Sequence, residues 1–133
     1  MKIKKINHVA IAVSNIEEAL SFWCDALGLE MDHIEKVTSQ KARVAFLPVG
    51  DSEVELVQPT SDDSGTARFL RERGPGMHHL CFEVEDILDA LKQLKAKGVR
   101  LINEKPLELE DRKMAFIHPK STYGVLVELY QII

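Results

Sequence analysis

The sequence predicts an α+β fold in which one strand–helix–strands module occurs twice. Three observations predict it. First, Asn7-His8-Val9-Ala10-Ile11-Ala12-Val13 resembles His78-His79-Leu80-Cys81-Phe82-Glu83-Val84 at an offset of 71 residues, and the match runs on without a gap through Ile16 with Ile87, Ala19 with Ala90 and Leu20 with Leu91. Second, Val44–Leu47 matches Met114–Ile117 at an offset of 70, and Val54–Gln58 matches Val127–Gln131 at 73. Third, the chain has 133 residues, 45% of them apolar, the size and composition of one globular domain. A half of roughly 60 residues is marginal alone. The expectation is one domain over 1–133 made of two modules, about 1–60 and 77–133, joined by a helical connection over 61–76.

Residues 6–13 are rich in Val, Ile and Ala and short enough for a strand. Asn15 suits a helix N-cap, with Glu18 three residues on as its capping-box partner. Ile16, Ala19, Leu20, Trp23 and Leu27 then recur at helical spacing, and Gly28 ends the helix. The second module repeats the scheme with Asp86 as cap, Ile87, Ala90, Leu91 and Leu94 as the apolar stripe, and Gly98 as the stop. Strands are expected near 43–49 and 53–58 around a Gly50-Asp51 turn, with counterparts near 113–118 and 124–131. Between the modules, Ser61–Gly65 reads as a loop and Thr66–Arg73 as a short helix stopped by Gly74 and Pro75.

Composition excludes several function classes. The 17 basic and 21 acidic residues leave a net charge of −4, the wrong sign for a general nucleic-acid binder and too small for charge-driven disorder. No apolar run reaches the roughly 18 residues of a membrane span. Behind Met1-Lys2-Ile3-Lys4-Lys5 there is no apolar segment of the kind a secretory signal needs. Cys24 and Cys81 lie in no C-x-x-C pair, so both are expected as reduced thiols of a cytoplasmic protein. Neither a phosphate-binding glycine loop nor a nucleophile-elbow motif is present.

The duplication singles out four residues in two pairs, His8 with His79 and Glu55 with Glu128. Strand alternation places His8 on one face with Ala10 and Ala12, and His79 on one face with Cys81 and Glu83. Small neighbours leave room for a ligand there. A lone strand histidine is ordinarily a satisfied core or edge residue, and a lone strand glutamate ordinarily sits on the wet face. Glu128, however, lies in the apolar run Val125–Tyr130, where an unpaired carboxylate costs several kcal/mol. Two histidines and two glutamates at equivalent positions of duplicated modules therefore point to a metal site. That N/O donor set suits octahedral binding of a divalent ion such as Co, Mn, Ni, Zn or Fe, with two positions left for water or substrate. His33 is expected in solvent after the first helix, His118 in a loop, and His78 on the face opposite His79. Cys81 reads as a packing residue and Glu53 as solvated. Arg68, Arg71 and Arg73 read as a solvated helix face, with an anionic substrate group as the competing reading.

The segments His8–Val13, Gly76–Val84 and Gly124–Leu129 resemble the vicinal oxygen chelate superfamily, also called glyoxalase/bleomycin-resistance/dioxygenase. With Val44–Asp51, Glu53–Pro59, Asp63–Gly74 and His118–Thr122 added, the likeness covers nearly the whole chain and is greatest to the methylmalonyl-CoA epimerases of that superfamily. The resemblance implies tandem βαβββ modules forming a cleft-shaped, barrel-like mixed sheet, the vicinal oxygen chelate fold. It implies a divalent metal held by His8, Glu55, His79 and Glu128, an acyl-CoA substrate and a homodimer. The implied reaction interconverts (2R)- and (2S)-methylmalonyl-CoA through an enediolate, with Glu128 as one proton-transfer residue. Two departures stand out. Glu108–Asp111 occupies the place of a glycine-rich loop. Val44 stands where some members carry a glutamate as second base, which leaves the opposite-face proton donor unidentified. Tyr123 also replaces a common glycine. The alternatives are a lactoylglutathione lyase-type isomerase and a ligand-sequestering protein of the bleomycin-resistance type.

Overall fold

Alternation along the strands decides which side chains the fold buries, and it is visible at once in β1 (Ile3–Ala12), where His8, Ala10 and Ala12 are buried and Val9 and Ile11 half-buried. The computed structural model describes residues 1–133. The chain divides into two compact units, His8–His78 and Met1–Asn7 with His79–Ile133, so β1 starts in one unit and ends in the other. This boundary does not coincide with that of the sequence repeat.

In the His8–His78 unit, β1 leads to a helix α1 (Ile16–Leu20) and then to β2 (His33–Val37), β3 (Ala42–Val49), β4 (Ser52–Pro59) and α2 (Gly65–Arg73). The strand order is β2-β3-β4-β1. β1 and β4 are parallel; the other neighbours are antiparallel. Asn15 caps α1 as its spacing predicts, its Oδ1 accepting from the Glu18 N–H at 2.8 Å. After Leu20 the helix widens into a π-helical segment, Ser21–Ala26, in which the Leu27 N–H reaches back five residues to the Phe22 carbonyl. The wider turn carries Leu27 off the apolar stripe to 54% exposure, while Ile16, Ala19, Leu20, Trp23 and Cys24 pack on Val13, Ala45, Leu47 and Leu56. Periodicity of 3.6 had predicted Leu27 on that stripe. On the opposite face Ala10, Ala42, Val44, Phe46 and Val57 form a second apolar cluster. The Ser61–Gly65 loop is tied down by Lys41, the residue before β3, whose ammonium lies 2.8 Å from Asp63 and, with the Ser61 hydroxyl, lowers the pKa of that carboxyl to about 2.

In the other unit the strand order is β1-β5-β8-β7-β6, with β5 (Gly76–Val84), β6 (Leu107–Glu108), β7 (Arg112–Ile117) and β8 (Val127–Ile132). Here α3 (Ile87–Ala96) is capped by Asp86, whose Oδ1 accepts from the Asp89 N–H at 3.1 Å. Ile87, Ala90 and Leu91 pack on Val84, Ala115, Ile117 and Leu129. Cys81, Met114 and Tyr130 cluster on the opposite face. Gly28 and Gly98 end the equivalent helices at φ 91° and 81°, a backbone region that side-chain-bearing residues avoid. Two strands escaped the sequence reading. β2 is five residues with two basic and one acidic side chain at a sheet edge, and β6 is only two residues long.

The duplication reappears in the register. Glu55 stands opposite Ala10 and Phe46; Glu128 stands opposite Cys81 and Phe116. The same hydrogen bond also occurs twice: Ile16 N–H donates to Gln58 Oε1 at 2.9 Å, and Ile87 N–H donates to Gln131 Oε1 at 2.9 Å. Each glutamine thereby satisfies a first-turn N–H that has no partner within its helix. Gln58→Ala and Gln131→Ala are each expected to lower unfolding stability by about 1–2 kcal/mol, read from urea denaturation.

Candidate metal and proton-transfer site

Each unit builds a buried histidine–glutamate pair by the same route. On β1 the pleat turns His8 inward beside Ala10 and Ala12, all three without solvent exposure. On the parallel neighbour β4, Glu55 projects to the same face and places Oε2 3.0 Å from His8 Nδ1. In the second unit, His79 on β5 and Glu128 on the parallel neighbour β8 bring Nε2 and Oε1 to 2.9 Å. Phe116 meets the His79 ring edge-on, with centroids 5.4 Å apart. Methyl and thiol side chains opposite the carboxylates, Ala10 and Cys81, leave space that a larger residue would fill.

The burial of these carboxylates is the informative feature. Glu55 is 5% exposed and Glu128 2%. An ionised carboxylate in such surroundings is stable only when paired or bound to a cation. Each pair turns an imidazole nitrogen and a carboxylate oxygen toward one another, a donor set that fits a divalent ion with mixed N/O ligands.

The other sequence candidates have local structural roles. His118 caps a single 3₁₀ turn, its Nδ1 accepting from the Lys120 N–H at 3.1 Å. Partial desolvation, then the charges of Arg100 and Lys120, pull its pKa below the ordinary 6.5. His78 packs edge-on against Phe69, with centroids 5.0 Å apart. Arg68 pairs with Glu72, Arg71 donates to the Asp62 carbonyl, and Arg73 covers the Phe69 ring, so the arginine cluster is engaged within its own surroundings. Glu53 is half-buried, and Cys81 packs with Met114 and Tyr130. In the acidic segment, Glu108 lies 3.7 Å from Lys113 and Asp111 2.9 Å from Arg112, so a neighbouring cation answers each of these two charges. Tyr123 is fully exposed at φ 60°.

One couple was not foreseen. His33 is half-exposed, as expected for a residue after the first helix, and it opens β2. Its Nδ1 lies 2.6 Å from Asp32 Oδ2 and its Nε2 3.5 Å from Glu35 Oε2. The ring stacks on Phe46 at 4.5 Å and 11°. Asp32 and, more weakly, Glu35 raise the His33 pKa above 6.5 against an opposing desolvation effect. The alternation of His33, Glu35 and Val37 was the one available signal, too short to outweigh the charges around it.

The chain belongs to the glyoxalase/bleomycin resistance protein/dioxygenase superfamily, whose family model matches residues 7–116. Within that class it is similar to the mitochondrial methylmalonyl-CoA epimerase of Mus musculus, 38% identical over 132 residues that cover 98% of this chain and 74% of the relative. The methylmalonyl-CoA epimerase structure from Mycobacterium tuberculosis superposes with a TM-score of 0.92 at 34% identity, covering 98% of this chain and 89% of that one. A methylmalonyl-CoA epimerase in complex with methylmalonyl-CoA and NH4+ superposes at 0.91 with 30% identity, covering 98% and 96%. The α+β fold of tandem modules expected from the sequence is thus the fold of these proteins.

Two imidazoles are expected to titrate on opposite sides of the ordinary value in an NMR pH series. His33 titrates above 6.5 and His118 below it, and Asp32→Asn lowers the His33 midpoint. The raised His33 value makes its contribution to stability complete below pH 6.5 and lost as pH rises through the folded-state midpoint.

Proposed function

We propose that this protein is an epimerase that interconverts (2R)- and (2S)-methylmalonyl-CoA. The observation that carries the reading is the pair of buried His–Glu couples, in a chain 38% identical to a methylmalonyl-CoA epimerase over nearly its whole length. The substrate is an acyl-CoA thioester with a carboxylate on the carbon that inverts. That carbon is acidic because its electron pair, once the proton leaves, delocalises onto the thioester oxygen. His8, Glu55, His79 and Glu128 are the residues that would hold a divalent ion. The ion, when bound, supplies positive charge beside the substrate's oxygens and so lowers the cost of forming the enolate.

Glu128 carries the proton-transfer role in this reading. Its Oε1 lies 2.9 Å from His79 Nε2, and burial at 2% exposure keeps bulk water from the carboxylate. His79 orients the carboxylate, and the edge of Phe116 fixes the imidazole plane. The protein acts as a homodimer in the cytoplasm; its two cysteines, which form no disulfide, suit a reducing compartment. No helix is long and apolar enough to cross a membrane.

The test is solvent-deuterium incorporation at C2 of methylmalonyl-CoA, run beside turnover of the methylglyoxal–glutathione adduct. The epimerase reading expects exchange and inversion with the first substrate alone; turnover of the adduct alone would overturn it. Glu128→Gln is expected to lower kcat by about 10²–10⁴-fold. Chelator treatment is expected to abolish turnover, and added Co or Mn to restore it.

A further inference from the structure

Each unit has a buried His–Glu pair, but the two units do not offer the same donors. The residue in register with the carboxylate is Ala10 beside Glu55 and Cys81 beside Glu128. Ala10 has no side-chain atom that can bind a ligand, whereas Cys81 has a sulfur. Volume alone does not call for that sulfur, since a methyl group fills the equivalent place. The difference lies wholly within the unit formed by Met1–Asn7 and His79–Ile133.

Cys81 stands on β5 two residues after His79, and alternate residues of a strand line one face. Its cross-strand partner on β8 is Glu128. The thiol sulfur and a Glu128 carboxylate oxygen lie within 4.8 Å of one another, and Glu128 Oε1 lies 2.9 Å from His79 Nε2. Two donors on one ion, at roughly 2.3 Å for sulfur and 2.1 Å for oxygen, stand at most about 4.4 Å apart. The spread between Cys81 and Glu128 is of that order, so side-chain rotation can close it. All three side chains are buried, with exposure of 9% for His79, 0% for Cys81 and 2% for Glu128. Met114 and Tyr130 pack against the thiol and keep bulk water from it.

A sulfur donor changes which ion a site prefers. Imidazole and carboxylate between them suit manganese, cobalt, nickel, iron and zinc, and geometry of that kind does not choose among them. Thiolate is a soft ligand that favours zinc and gives manganese little. The binding form is the thiolate, so the S–H bond breaks as sulfur bonds to the ion and the proton leaves to solvent. No electrons are transferred in that step.

We propose that Cys81 is a third metal ligand of this unit, completing a His79–Cys81–Glu128 donor set that raises the preference for zinc over manganese. This assignment rests on the divalent-ion part of the proposed function. Two other sulfurs bear on the test. Met114, in the same cluster, is a thioether with no proton to give up and no charge to offer. Cys24 belongs to the other unit, half-buried in the π-helical segment.

The experiment loads metal-free wild type, Cys81→Ser and Cys24→Ser with cobalt and with zinc. Cobalt-loaded wild type and Cys24→Ser are expected to show a strong thiolate-to-cobalt charge-transfer band in the near ultraviolet, which the Met114 thioether cannot match. X-ray absorption of their zinc forms is expected to show a sulfur at about 2.3 Å. Cys81→Ser is expected to lose both signals and to lower the ratio of zinc to manganese affinity, read by chelator competition, about 10-fold or more. If Cys81→Ser does not fold, the Cys24→Ser spectra still decide, because Cys81 is then the only thiol in the chain. A zinc shell of nitrogen and oxygen alone, loss of the cobalt band in Cys24→Ser, its persistence in Cys81→Ser, or an unchanged affinity ratio in Cys81→Ser would each overturn the assignment and leave the metal reading standing. Wild type that binds neither cobalt nor zinc would overturn the metal reading itself, and Cys81 with it.

Discussion

The arrangement depends on the burial of two carboxylates in β-strands that are otherwise apolar. A glutamate removed from water loses hydration worth several kcal/mol, and only a close, well-oriented partner offsets that loss. Glu55 and Glu128 each meet an imidazole at about 3 Å, and the parallel strand pairing holds both members of each couple. This requirement explains the neighbouring choices: small side chains opposite each carboxylate, an aromatic on the next strand, and apolar clusters closing the rest of the face.

The two modules solve the same problem with the same parts. A glutamine on the strand bearing the carboxylate ties down the first turn of the helix, and that helix covers the outer face of the sheet. Ile16 and Ile87, both fully buried, anchor the helices at equivalent points and contribute about 1.5–3 kcal/mol each through burial. The face that carries the His–Glu pairs is packed by its own, separate apolar clusters. It can carry polar residues because the helix-covered face supplies the larger apolar clusters of each unit.

Much of this was legible because the repeat acts as an internal control. A single histidine in a strand says little, whereas histidines 71 residues apart, each with a glutamate at a matching place, single out one face. Helix caps were legible for a local reason: Asn15 and Asp86 bond N–H groups three residues away, an interaction that spacing alone encodes. What escaped depends on neighbours distant in sequence. β2 is a strand because β3 offers it a hydrogen-bonding edge, and its charged side chains gave no apolar alternation to reveal that edge. The widened turn at Ser21–Ala26 likewise follows no residue pattern, and it moved Leu27 out of the place periodicity assigned to it. The His33 couple was hidden for the same reason as β2, since its surroundings exist only once the strand has paired.

The course of β1 bears on the order in which the chain acquires structure. The His8–His78 unit is one continuous stretch, so all of its contacts form between residues that leave the ribosome together. The other unit needs Met1–Asn7 and His79–Ile133 at once, as where the Glu85 N–H donates to the Lys2 carbonyl. Closing so long a loop is entropically slow, and topology of this kind sets folding rate. The leading segment therefore meets its partners in that unit only once the far half of the chain has been made.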